Sequence, residues 1–427
     1  MKKTFYSRIA AILLTLVVAL SSLASCSEFN YGEDFNIVEN NTTNFSELSL
    51  IDQLFKQLSL FELDEEALLN AVLKGYIEGT GDKYAEYFTA EEYEKFTSDN
   101  RGETVGVGIS VIENAELSYI EVINVVPDSP AMAAGVQPGD YIIAIGLGEN
   151  RQNVAEVGYT VALDLMVGEK GSVAEFVVLR DGEEIEFSIV RDKVTAVSVT
   201  SRVCSIKGYE KVGIIKITEF NLNTPVQFEA AMEELIQKGC DKFVFDVRYN
   251  PGGDLNSIKG VLAYFLNEGD VVIRIADRKG NETVQKIEPV RFAGDYSTCN
   301  IDKEDIGKYR DLNFAVLANG STASAAELFT SVLKDYKLSI TVGTTTYGKG
   351  TMQTTYSLEQ FGYGGALKLT TRYYFPPLSD SYEGIGIVPD FVEELDESLK
   401  NVNIYKITDE EDNQLRRAIE ELYNRNK

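Results

Sequence analysis

Apolar residues recur at helical spacing from Phe45 to about Arg101, in the runs Leu50, Ile51, Leu54, Phe55, Leu58 and Leu68, Leu69, Val72, Leu73, Tyr76. A period near 3.6 puts each run on one helix face, and Asp64 stands where an N-cap belongs. From Gly102 to about Lys193 the pattern changes to short β-like runs at 105–111, 119–125, 141–145, 175–179 and 184–190, with one short helix at 131–134. β-rich and helical runs then alternate from Val194 to about Asp390, the pattern of an α/β unit. An acidic stretch from Phe391 ends in a predicted helix at 410–423. The reading is therefore a multidomain α+β and α/β chain: helical 45–101, β-rich 102–193, mixed 194–390 and a tail 391–427.

The first 44 residues fit none of these patterns. Lys2, Lys3 and Arg8 make a basic start, and the apolar run 9–20 is too short to span a bilayer comfortably. Leu23-Ala24-Ser25-Cys26 follows, small residues before a cysteine, and this resembles the bacterial lipoprotein signal. That resemblance implies removal of residues 1–25, lipidation of Cys26 and an extracytoplasmic, membrane-anchored protein, with 26–44 as a polar, acidic tether. The remaining cysteines, Cys204, Cys240 and Cys299, are odd in number and widely spaced, which fits buried small hydrophobes better than a disulfide framework.

Composition removes whole classes of chemistry. The chain has no histidine, so Ser-His-Asp hydrolysis, Cys-His catalysis and His-ligated zinc are unavailable, and no metal or cofactor is expected. A formal charge of −27 repels polyanions and argues against a nucleic-acid partner.

Three motifs in the β-rich region point to peptide binding. Gly106-Val107-Gly108-Ile109 opens a strand, Ser129-Pro130-Ala131 enters the short helix, and residues 134–142 read Ala-Gly-Val-Gln-Pro-Gly-Asp-Tyr-Ile. Together they resemble a PDZ domain, in which inward backbone amides hold a terminal carboxylate and the adjoining strand edge accepts the peptide.

The mixed region carries the catalytic candidates. A buried strand runs into Asp246-Val247-Arg248-Tyr249-Asn250-Pro251-Gly252-Gly253, whose glycine amides are free of side-chain cover. A second strand precedes Thr322-Ala323-Ser324-Ala325-Ala326-Glu327 at a helix start. Ser324-x-x-Glu327 is also a capping box, so a purely structural serine is the competing reading. Without histidine a serine nucleophile needs another base, and Lys349, between Gly348 and Gly350, can serve if burial keeps its amine neutral. Gln353, four residues on, would share a strand face with Lys349 and orient it. Two decoys fail: residues 343–349 match a phosphate loop but Gly350 replaces the required Ser or Thr, and Ser331-x-x-Lys334 lacks a following Lys-Thr-Gly.

These segments look like one family, the carboxyl-terminal processing or tail-specific serine proteases. The similarity runs from about Phe45 to Asp390 and includes Gly81-Asp82-Lys83-Tyr84, the Pro-Gly-Gly turn, the 25-residue step from Ser324 to Lys349, and residues 367–374 and 386–390. The resemblance implies a PDZ domain before a crotonase-like α/β protease core, with Ser324 as nucleophile, Lys349 as base and Gln353 positioning it. Ala325 and the Gly252-Gly253 turn supply oxyanion donors, either glycine being eligible. It also implies substrates with exposed, unstructured C-termini and a homodimer through helical segments. The chain departs from the family at Thr322 and Ala326, where serines are usual, at Tyr249, at Lys83, and at residues 146–150 after Asp140, which leaves peptide preference open. A catalytically silent PDZ scaffold is the alternative.

Overall fold

The computed structural model describes residues 45–114, 117–400 and 402–425; Cys26, the signal and the tether lie outside them. Two helices come first, α1 (Ser46–Leu58) and α2 (Glu65–Gly79), and Asp64 caps α2 by accepting the Ala67 N–H at 3.0 Å. The region 45–101 is not wholly helical. Before α3 (Ala90–Asn100), strand β1 (Glu86–Phe88) pairs antiparallel with a long strand near the other end of the chain, Ala366–Phe375.

The β-rich region is an insertion on a two-stranded stem, β2 (Glu103–Gly106) against β8 (Asp192–Thr195). Between them β3 (Ile109–Asn114), β4 (Tyr119–Val125), β5 (Tyr141–Ile145), β6 (Val173–Arg180) and β7 (Glu183–Val190) form an antiparallel sheet in that order around Ile120, Ile142, Phe176 and Val178. The short helix α4 (Pro130–Ala134) is explained residue by residue. Ser129 caps it by accepting the Met132 N–H, Pro130 opens it, and Gly135 ends it at φ 87°. A further helix, α5 (Tyr159–Met166), lies over the same core.

The core is built on a second sheet, in the order β9 (Val199–Val203), β10 (Val212–Ile217), β11 (Lys242–Asp246), β14 (Asn313–Ala318), β15 (Ser339–Gly343) and β18 (Phe391–Val392), parallel from β10 onward. Its strands are apolar on both faces because both are covered. Phe243, Phe245, Phe314 and Val316 meet helices α6 (Thr224–Gln237), α7 (Leu255–Ala263) and α8 (Ala325–Asp335). The alternate residues Val244, Ala315 and Leu317 meet Leu415, Ile419 and Leu422 of α9 (Asn413–Asn424). The acidic tail of the sequence thus supplies the sheet's second cover. A third sheet runs β1, β17 (Ala366–Phe375), β12 (Val271–Asp277), β13 (Glu282–Lys286), with β16 (Thr351–Ser357) also on β17.

Candidate active site

Strands β11, β14 and β15 are parallel neighbours, and the loop after each delivers one group to the same edge, the carboxyl end where open α/β sheets place their sites. The loop after β11 is the Asn250–Gly253 turn, the loop after β14 brings Ser324, and the loop after β15 brings Lys349. Hydrogen bonds stitch the three together: Ala323 N–H to Asn250 O at 2.9 Å, Tyr347 N–H to Thr322 O at 3.0 Å, and Thr322 Oγ1–H to Val247 O at 2.8 Å.

Glu327 is the centre of this arrangement. It is fully buried, and its two carboxylate oxygens accept from Ser324 N–H (2.9 Å), Lys349 N–H (2.8 Å), Gly348 N–H (2.6 Å) and Thr346 Oγ1–H (2.5 Å). The capping reading saw only the first of these bonds. One carboxylate therefore holds the backbones of serine and lysine, which the sequence separates by 25 residues.

Ser324 is half-buried and departs from an ordinary cap. A helix N-cap sits in the β region, whereas Ser324 has φ 55° and ψ −120°, a region costing a non-glycine residue about 1–3 kcal/mol. Strain of this kind collects where a side chain must be aimed. Beside it, a Cβ on Gly252 (φ 108°) would lie 2.8 Å from both Ala325 N and Ser324 Cβ, and one on Gly253 (φ 143°) would lie 2.2 Å from Phe220 O. Both positions require glycine. Gly252 N–H already donates to Asn250 Oδ1 at 2.8 Å, while Gly253, bridged to Phe220, is exposed.

Lys349 is half-buried, and burial lowers its proton affinity; Lys368 and Lys83 push the same way, against Glu383 and Glu327. Its Nζ lies 4.5 Å from the ring centroid of Tyr84, and its carbonyl accepts the Tyr374 hydroxyl. Burial raises the Tyr374 phenol well above its ordinary value, so it stays a donor. Gln353 sits in β16 opposite Thr370, beside a register shift that leaves Thr371 of β17 without an opposite residue. Its amide nitrogen donates to Thr370 Oγ1 at 3.1 Å and Thr351 Oγ1 at 3.4 Å.

Some functional positions escaped the sequence reading. Arg248 is buried and bonds Asp246, Asp412 and Gln414, binding α9 to the glycine turn across 164 residues. Asn250, also buried, holds the turn from inside by donating to Ile217 O. In the inserted domain Val107 O and Gly108 O accept from Ala131 and Val126 N–H at 2.8 and 2.9 Å, and Ile109, like Leu163 and Met166 of α5, packs against that domain's buried core. Gly106 ends the stem opposite Asp192. A Cβ on Gly108 (φ 88°) would strike Ser129, which explains that glycine.

The family model of peptidase family S41 matches residues 211–393, the span holding the turn, the serine, the lysine and the glutamine, and that of the PDZ domain matches 121–160. Residues 211–393 are an S41 peptidase domain. A protein of Staphylococcus epidermidis (strain ATCC 12228) named "Probable CtpA-like serine protease" is 27% identical over 382 residues, 89% of this chain and 70% of its own length. A namesake from Staphylococcus aureus (strain COL) is 29% identical over 353 residues, 82% and 65% of the two chains. A solved structure from Bacteroides fragilis NCTC 9343, assigned to the S41 proteases, aligns with TM-score 0.51 at 17% identity over 88% of this chain and 97% of that one, a likeness of fold. This S41 peptidase is a serine-type enzyme of the C-terminal processing family, with its PDZ domain placed before the protease domain.

Proposed function

We propose that this S41 peptidase cleaves exported or membrane-associated proteins near their C-termini with Ser324 as nucleophile and Lys349 as general base. The observation that carries the reading is the buried Glu327 carboxylate, which accepts from the backbones of both residues. Neutral Lys349 takes the Ser324 proton as Oγ attacks the scissile carbonyl; the ammonium then protonates the leaving amine, and a water deacylates the serine by the same route. Ala325 N–H, at the positive end of α8, and Gly253 N–H stabilise the oxyanion, because Gly252 N–H is engaged by Asn250. Gln353 spends its amide nitrogen on Thr370, which leaves its carbonyl oxygen to accept from the Lys349 ammonium.

In this reading the PDZ domain holds the substrate's unstructured tail at residues 106–109 and gates its delivery. The carbonyls of Val107 and Gly108 are tied back by Ala131 and Val126, which supports amides turned toward a terminal carboxylate. The exposed apolar residues Leu50, Leu54, Phe55 and Leu58 of α1 fit a homodimer contact, and Cys26 carries a lipid anchor. Ser324→Ala tests the core of the reading. The purified variant should bind an unfolded tail and melt as a folded protein yet cut nothing; normal cleavage by the variant would leave Ser324 as a helix cap, and a wild type that binds the tail without cutting it would be a PDZ scaffold.

A further inference from the structure

The Lys349 amine is covered from outside the matched protease span. Tyr84, in the short segment between α2 and β1, lies with its ring centroid 4.5 Å from Lys349 Nζ, and the Lys83 ammonium sits 4.7 Å from the same ring. The segment is anchored and not merely adjacent. Asp82 accepts the Tyr84 N–H at 3.0 Å on Oδ1, and it accepts Thr370 Oγ1–H on Oδ1 at 2.9 Å and Thr370 N–H on Oδ2 at 2.8 Å. Thr370 Oγ1 in turn receives the Gln353 amide. One carboxylate therefore fixes the ring over the base and the threonine that fixes the glutamine. Pairing of β1 with β17, at Glu86 opposite Lys368, holds the whole segment against the sheet that carries Gln353 and Thr370.

We propose that the segment 81–84 is a working part of the active site, in which Tyr84 roofs the Lys349 amine against water and Asp82, through Thr370, positions Gln353. This rests on Lys349 being the base. An aromatic face solvates an ammonium by only about 0.5–2 kcal/mol, less than the water it displaces, so a roof favours the neutral amine that must accept the serine proton. The direction agrees with burial as the leading cause of the lowered proton affinity of Lys349. The charged and titratable groups facing that amine are Lys83 and Tyr84 from the segment, Glu327 from α8, Lys368 from β17, and Glu383 from the loop that follows β17. Tyr84 is thus a positioning residue that acts through Lys349.

The test is the pH dependence of kcat/KM of the full chain on reduced, alkylated casein for wild type, Tyr84→Ala and Tyr84→Phe. Wetting the amine in Tyr84→Ala should move the rising limb up by about one pH unit, lower the rate near neutrality about tenfold, and let the profiles converge at alkaline pH. Tyr84→Phe keeps the ring and should keep the wild-type limb. A limb that Tyr84→Ala leaves in place, or moves down, overturns the proposal. Should Tyr84→Ala turn over too slowly, a lysine 13Cε NMR titration in the Ser324→Ala background reads Lys349 directly, with the same expected and overturning shifts. A wild-type profile without a rising limb would instead refute the base assignment, and the titration would still report whether Tyr84 controls that amine.

Discussion

Ser324 combines two demands that conflict on one residue. Its backbone sits at φ 55° and ψ −120°, which glycine adopts freely and serine only under strain, while the proposed catalysis needs the hydroxyl glycine lacks. Ser324→Gly should therefore be inactive yet more stable than Ser324→Ala by about 1 kcal/mol, read from urea denaturation midpoints of the two inactive variants. Equal midpoints would mean that the strain is absent in solution. Lys349 gives the second prediction at this scale. Its proton affinity is lowered, so the deprotonated, active form appears at a lower pH than for a free lysine, and kcat/KM should climb with pH through that point and then level off. Lys349→Arg should be nearly inactive throughout, because a guanidinium stays protonated. A profile flat from mildly acidic to alkaline pH, or an active arginine variant, would remove Lys349 from the base role.

Secondary elements were legible in the sequence where their reasons are local. The strand before the Pro-Gly-Gly turn, the helix starting after Ser324 and the Ser129-Pro130 entry to α4 all announce themselves by apolar runs and turn or cap chemistry within a few residues. What stayed hidden is long-range. Glu327 looked like a cap because its Ser324 bond is three residues away, whereas its bonds to Gly348 and Lys349 cross 21 and 22 residues. Strand β1 is only three residues long, too short to show a period, and α9 read as a tail because its partners, Val244, Ala315 and Leu317, lie far back in the chain. The docking of α9 is testable through Arg248, whose buried guanidinium needs both Asp246 and Asp412. Asp412→Ala leaves that charge half-compensated and removes the cap on Leu415 N–H, so it should cost about 3–5 kcal/mol in urea denaturation. Glu234→Ala, which breaks the exposed Lys238 pair on α6, should cost under about 0.5 kcal/mol. Similar losses from the two variants would mean that the Arg248 network does not hold α9.

At the scale of the whole molecule, charge and hydropathy decide what can hold the protein to a membrane. The described residues contain no helix long and apolar enough to cross a bilayer. Removing residues 1–25 takes away three positive charges and no negative one, moving the formal charge from −27 to −30, so an anionic lipid surface repels the remaining chain. Stable attachment through a single acyl chain usually needs a second signal such as a basic patch, and a chain this acidic is poorly suited to supply one. The proposed anchor at Cys26 would therefore have to carry the attachment alone and through more than one acyl chain, with two consequences that separate it from electrostatic adsorption. Wild-type protein should stay with membranes through a high-salt wash and leave only with detergent, since screening weakens charge contacts but not buried acyl chains. Cys26→Ala should move the protein to the soluble fraction of an envelope preparation while the released enzyme still cleaves an unfolded tail, because Ser324, Lys349 and Glu327 all lie in the protease domain far along the chain. A Cys26→Ala protein that still pellets and resists salt would mean that the apolar run 9–20 is retained as the anchor, and a wild type released by salt would mean that no lipid is attached.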